Sequence, residues 1–152
     1  MFITPHTSIA LWITTKVSDP MEAFIFGVVS HFILDIIPHG DESIGEHKKT
    51  KKGRLFYMLK VAFVDVVLAT ALVFLFLTRK PDMDRKVMYG AVAGAWMPDL
   101  AWLSAEYFKI KILDGYVRFH AKVHNFFGWE YAPVYGVPFQ IGFTLFALKL
   151  AF

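Results

Sequence analysis

Long apolar runs separated by short polar segments dominate the chain. Several runs approach the roughly 20 residues that a helix needs to cross a bilayer. The first run has only 14 residues and suits a short, tilted or partly inserted helix better than a full span. The pattern predicts an all-α integral membrane bundle of about five helices, the first short, as a single transmembrane domain over 1–152. We expect helical segments at 2–15, 21–37, 55–78, 87–105, 116–129 and 131–148.

The composition supports a membrane protein and narrows its chemistry. Apolar residues make up 56% of the chain and charged residues 19%, against about 45–50% and about 25% in soluble domains. The chain has no Cys, so disulfides, thiolate zinc sites and iron–sulfur clusters are excluded. The net charge of +3 is too modest to indicate a nucleic-acid partner. The N-terminus lacks a basic region and a small-residue cleavage site, so we interpret it as mature protein.

Polar residues inside the apolar runs need an explanation. Asp35, Asp65 and Asp99 each cost about 2.5–3.5 kcal/mol at a helix centre, and five of the six histidines lie within or at the end of apolar segments. His31 and Asp35 are four residues apart, as are His120 and His124, so each pair shares a helix face. If the chain alternates across the bilayer, these five histidines reach one membrane face together with Asp35 and Asp99. We therefore predict seven metal ligands: His6, His31, Asp35, His39, Asp99, His120 and His124.

Imidazole with carboxylate suits zinc best, with manganese or iron as alternatives. Seven candidates exceed the three or four ligands of one catalytic zinc, so we expect one to three ions. Two neighbouring ions can activate a water and clamp a phosphoryl group. Other roles stay open: His6 in helix packing, the His120 and His124 pair facing headgroups, and Asp65 paired with Lys60 or a histidine.

Further residues near this face are candidates for catalysis and binding. Asp99 and Glu130 could move protons, and Asp65 and Asn125 could orient ligands. Nine Lys and Arg residues flank the predicted site face and six flank the other face, which favours a site open to the cytoplasm. Gly90 and Gly94 predict close helix packing. We expect phosphate or headgroup binding by Lys48, Lys49, Lys51, Lys52, Arg54 and Arg118.

Three motifs carry a family resemblance. The segment HFILDIIPH (31–39) resembles the zinc-dependent phospholipase C and single-strand nuclease superfamily. With His6, GAWMPD (94–99) and FHAKVHN (119–125), the chain resembles the bacterial inner-membrane metal-dependent hydrolases of the YdjM type. Where that family has Pro-Asp-x-Asp-His, this chain has Pro-Asp-Leu-Ala-Trp (98–102), without the second aspartate and the histidine. The segment 31–39 is therefore more important as a source of metal ligands in this chain. The resemblance implies a hydrolase acting on phosphoesters in the bacterial inner (plasma) membrane.

The sequence therefore predicts a membrane-embedded metal-dependent hydrolase. Its expected reaction is phospholipase C-like hydrolysis of a membrane lipid or a small phosphorylated substrate by a metal-activated water. Two alternatives remain: a haem- or metal-binding membrane carrier, and a non-catalytic membrane adaptor with a degenerate metal site.

Overall fold

The computed structural model describes residues 1–41, 44–45, 47–129 and 132–152. This part of the chain is helical and has no strand. It contains one short 3₁₀ turn at Lys111–Leu113. The helices are α1 (Ile3–Thr14), α2 (Pro20–Ile36), α3 (Lys51–Arg79), α4 (Arg85–Phe108), α5 (Asp114–His124) and α6 (Pro133–Ala151). The all-α prediction is confirmed.

Short polar side chains fix where three of the helices begin. Asp19 accepts a hydrogen bond from the backbone N–H of Glu22 at the start of α2, and Pro20 occupies the first turn. Thr50 caps α3 and Asp84 caps α4 in the same way. These side chains satisfy backbone N–H groups that have no partner within the helix. The helix starts are therefore set by local sequence.

Helix α1 is short, as predicted, and lies at the centre of the molecule. It contacts α2, α3, α4 and α6, and most of its side chains are buried. Its second half packs through Ala10 and Ile13 against α2 and α4, and through Leu11 against Phe76 of α3. Its first half carries His6 at the opposite end. The interior of the bundle is thus apolar at one end and polar at the other.

Helices α2 and α4 pack closely through glycines. A Cβ added at Gly94 would overlap the backbone carbonyl of Phe24, and one at Gly90 would overlap that of Pro20. Gly27 on α2 similarly faces the backbone of Ala91. The close approach that the Gly90 and Gly94 spacing predicts is present, and it brings the later half of α4 against the end of α2.

The outer surface is apolar and the interior holds many of the polar groups. On α3, Phe63 is 70% exposed and Phe74 69% exposed, whereas His6, His31 and Asp35 are fully buried. Helices α3 and α6 are long and apolar enough to cross a membrane. The described residues form six helices rather than about five, since the segments expected at 116–129 and 131–148 both become helices, α5 and α6.

Candidate metal centre

All seven predicted ligands lie at the polar end of the helices. The start of α1 brings His6, and the last two turns of α2 bring His31 and Asp35. Asp99 comes from α4, while α5 supplies His120 and His124. His39 follows α2 after Pro38, and its side chain is buried. Four helices and one loop therefore converge on a single site.

One group of four side chains offers ligand atoms within 4.8 Å of one another: His31, Asp35, Asp99 and His120. The Nε2 atom of His31 lies 2.9 Å from Oδ2 of Asp35 and 3.6 Å from Oδ1 of Asp99. His120 Nε2 lies 3.3 Å from the same Asp99 oxygen. Two imidazoles and two carboxylates are a donor set that zinc, manganese or iron accepts.

A second group of three shares one member with the first: Asp35, His39 and His124. The Nε2 atom of His124 lies 3.0 Å from Oδ2 of Asp35. His6 adjoins both groups, because its Nε2 is 3.2 Å from Oδ1 of Asp35 and its ring stacks on His31 at 4.1 Å between centroids. Asp35 is therefore a member of both groups that could hold a metal ion.

Hydrogen bonds to backbone carbonyls fix how two of the imidazoles face the site. His31 Nδ1 lies 2.8 Å from the carbonyl oxygen of Ala95, and His39 Nδ1 lies 2.6 Å from that of Ile37. Since a carbonyl oxygen only accepts, each Nδ1 must carry the proton. A neutral ring then presents the lone pair of its Nε2 to the site, which is how imidazole binds a metal.

Several buried atoms of the site make no hydrogen bond to any described residue. They are both ring nitrogens of His6, Nε2 of His31, His39 and His120, and Oδ2 of Asp35. Some lie close to carboxylate oxygens, as His31 does to Asp35 at 2.9 Å and His120 to Asp99 at 3.3 Å. A buried polar atom without a partner is destabilising by about 1–3 kcal/mol. A cation held at each ligand group would provide a partner for the Nε2 atoms and carboxylate oxygens that face it.

Tyr116 of α5 supports the segment of α4 that holds Asp99. Its hydroxyl donates a hydrogen bond of 2.6 Å to the carbonyl oxygen of Pro98. Burial raises the pKa of Tyr116 to about 12, with Asp99 and Asp35 adding to the shift, so the hydroxyl keeps its proton at neutral pH. Tyr116 therefore ties α5 to α4 beside the predicted ligands.

Gln140 of α6 is a positioning residue that sequence reasoning missed. Its Nε2 donates to the carbonyl oxygen of His39 at 2.9 Å, and its Oε1 accepts from the backbone N–H of Phe2 at 2.8 Å. Next to it, a Cβ at Gly136 would overlap the backbone of His39. Gln140 thus links the His39 loop to the start of α1. A single Gln within an apolar run offered the only sequence signal.

Asp41 was also missed, because it stands in a polar loop where carboxylates are common. Its Oδ1 lies 2.9 Å from Nε2 of His39, and its Oδ2 lies 3.6 Å from the Met1 α-amino group. Burial would raise the pKa of Asp41, but the Met1 ammonium and His39 outweigh it and hold that pKa well below its usual range. Burial would lower the pKa of the Met1 amine, but Asp41 and Asp35 raise it to about 10.

Asp65 interacts with the backbone of α1. Its carboxylate accepts hydrogen bonds from the N–H groups of Ile3 at 2.6 Å and Thr4 at 3.1 Å. It therefore caps α1 and holds the helix that carries His6. The pairing with Lys60 or a histidine that the sequence left open is absent among the described contacts of Asp65.

The other predicted residues that the structure describes belong to neither ligand group. Asn125 is exposed and donates to the carbonyl oxygen of Ala121. Lys48 lies over the ring of Tyr57, with Nζ 4.9 Å from the centroid, and Arg54 is half-buried at the start of α3. Glu130 lies outside the described residues. The remaining basic candidates have exposed side chains: Lys49, Lys51, Lys52 and Arg118.

No protein-family model, curated protein or solved structure matches this chain. The geometry of the site is therefore the basis for assigning a function.

Proposed function

We propose that this protein is an integral membrane, metal-dependent hydrolase of phosphoesters. The observation that carries the proposal is the pairing of His31 and Asp35. The Nδ1–H of His31 is engaged by the Ala95 carbonyl, so in a neutral ring the Nε2 lone pair faces Asp35 Oδ2 at 2.9 Å. Two electron-pair donors at that distance repel each other unless a proton or a metal ion is shared between them, and the four donors of the first ligand group lie within 4.8 Å of one another. The residues present fit a divalent metal, with zinc the best match for their donor atoms.

The residues of this site have separate roles in the proposed reaction. A divalent ion held by these residues would lower the pKa of a bound water and polarise a phosphoryl oxygen. Asp35 bridges the two ligand groups, and the backbone carbonyls of Ala95 and Ile37 keep His31 and His39 turned toward it. Asp99 is the most exposed carboxylate of the first group, with 25% of its side chain accessible. Asp99 is thus placed to bind metal and to accept a proton from the attacking water.

The same proposal places the site near one membrane face. The apolar exterior and buried polar interior suit a bundle surrounded by lipid, with α3 and α6 as full spans. Helices α2 and α4 would be further membrane segments, and α1 would lie inside the bundle. The exposed residues Lys49, Lys51 and Lys52 stand at the site end of α3. By the positive-inside rule this end faces the cytoplasm, where anionic headgroups attract basic residues.

Metal content and hydrolysis together test the proposal. Protein purified without chelators is expected to contain one to three equivalents of a divalent transition metal, with zinc predominant, by elemental analysis. It should hydrolyse bis-p-nitrophenyl phosphate or p-nitrophenyl phosphate. Dialysis against a strong chelator should abolish that activity, and adding back Zn²⁺ or Mn²⁺ should restore it.

The opposite results separate the alternatives. Stoichiometric metal without hydrolysis of either ester would contradict the enzyme and favour a metal-holding adaptor. A strong visible absorption band in the purified protein would indicate haem. Absence of metal in protein never exposed to a chelator would contradict the metal centre itself.

A further inference from the structure

A cleft between α3 and α4 connects the outer surface to the candidate metal centre. Its volume is about 270 Å³. Along α3 and α4 its wall is mainly apolar, and Met1 and the three carboxylates Asp41, Asp65 and Asp99 also line it. The apolar lining residues on these two helices are Met58, Val61, Ala62, Val66, Trp102 and Leu103.

The cleft opens where the molecule presents its apolar surface. Met58 is 43% exposed and Leu103 55% exposed, so the mouth lies among side chains suited to lipid tails. Along α3 the lining extends from Met58 to Val66, about 12 Å of helix. Asp99 is both a cleft residue and a member of the first ligand group. A molecule in this cleft would therefore reach the cluster from the side of the bundle.

Basic residues stand at one end of the same helix face. Arg54 precedes Met58 by one helical turn, so both side chains lie on one face of α3. Gly45 lies against both, because a Cβ there would contact Arg54 and Met58. Lys51 begins α3 and is exposed. The apolar cleft thus has an acidic, metal-capable inner wall and a basic residue beyond Met58.

We infer that the substrate is a phosphoester of a membrane lipid, which enters sideways between α3 and α4. Its phosphate would reach the cluster beside Asp99, and its hydrocarbon chain would lie along Met58, Ala62 and Val66. This inference rests on the proposed phosphoesterase function and specifies its substrate class. A small soluble phosphoester has no hydrocarbon chain to contact the apolar cleft walls.

A second cleft provides a matched control. It lies between α3 and α6, has a volume of about 360 Å³, and is lined by Val64, Lys60 and Gln140 among others. None of the predicted metal ligands lines it. Val64 lines the second cleft and Ala62 lines the first, and both are exposed on α3. Tryptophan at Ala62 should obstruct the first cleft, and tryptophan at Val64 should obstruct the second.

Binding of a non-hydrolysable ligand tests the cleft without depending on turnover. Dodecylphosphonate and methylphosphonate share a headgroup and differ in their hydrocarbon chain. By calorimetry, we expect wild-type protein in maltoside detergent to bind dodecylphosphonate at least about tenfold more tightly than methylphosphonate. Ala62→Trp should remove most of that difference, and Val64→Trp should retain it. Met58→Trp replaces Ala62→Trp if the latter does not fold, and metal content reports on the integrity of the cluster.

Hydrolysis then separates failure of this inference from failure of the proposed function. Ala62→Trp should reduce hydrolysis of a long-chain lipid phosphoester about tenfold more than it reduces hydrolysis of bis-p-nitrophenyl phosphate, whereas Val64→Trp should change the two rates equally or not at all. Equal effects of the two tryptophans, or none from either, would overturn lipid access through this cleft and leave the phosphoesterase standing. Chain-dependent phosphonate binding without any hydrolysis would support the cleft and contradict the enzyme.

Discussion

Asp35→Ala is expected to remove the metal from both ligand groups and to abolish hydrolysis. Asp35 belongs to both groups, and its two oxygens lie 2.9 to 3.2 Å from ring nitrogens of His31, His124 and His6. A metal ion stabilises the transition state by several kcal/mol, so its loss corresponds to a fall in the rate of hydrolysis of roughly a thousandfold. Elemental analysis and initial rates on bis-p-nitrophenyl phosphate measure the two effects.

Two further variants make the Asp35 result specific. Asp82→Ala removes an exposed carboxylate from the turn before α4, and it should leave metal content and rate unchanged. His39→Ala removes a ligand of the second group alone, so it should lose less metal than Asp35→Ala. Wild-type metal content in Asp35→Ala would contradict the assignment of Asp35 as the shared ligand.

Gly94→Ala is expected to destabilise the protein strongly and to disturb the metal centre with it. The added Cβ would overlap the backbone of Phe24, where no side chain can rotate away. Overpacking of this kind destabilises by about 1–3 kcal/mol, and occasionally more. It also pushes α2 away from α4, which separates His31 from the Ala95 carbonyl. A lower thermal unfolding midpoint and reduced metal content should therefore occur together.

Gly142→Ala is the matched control for this substitution. Gly142 lies within α6, and a Cβ there would meet nothing within 4 Å. Because Ala has the higher helix propensity by about 1 kcal/mol, this variant should be as stable as wild type or slightly more stable. Equal unfolding midpoints for Gly94→Ala and Gly142→Ala would show that the close packing of α2 and α4 is unimportant.

The sequence predicts much of the helical structure because apolar run length and capping residues are local properties. The run at 55–78 lies within α3 (Lys51–Arg79), and 87–105 lies within α4 (Arg85–Phe108). The segments expected at 116–129 and 131–148 form the separate helices α5 and α6, so the expectation of about five helices was one too low. Hydropathy alone therefore located the helices better than it counted them.

Part of the site is equally predictable from the sequence, since a histidine or aspartate in an apolar run is conspicuous. The spacing of His31 and Asp35 was enough to place them on one face. Asp41 and Gln140 were missed for opposite reasons: Asp41 lies in a polar loop, and Gln140 is a single neutral residue whose partners are backbone groups distant in the sequence. The capping of α1 by Asp65 depends on the central position of α1, which hydropathy does not specify.

Anomalous X-ray scattering from crystals of the protein, recorded above and below the zinc absorption edge, tests the central claim most directly. The account predicts at least one zinc peak about 2.0–2.2 Å from Nε2 of His31 and from a carboxylate oxygen of Asp35. A second peak beside His39 and His124 would identify the other ligand group as occupied. Crystals of chelator-free protein that lack any anomalous peak among these residues, or that bind zinc elsewhere, would contradict it.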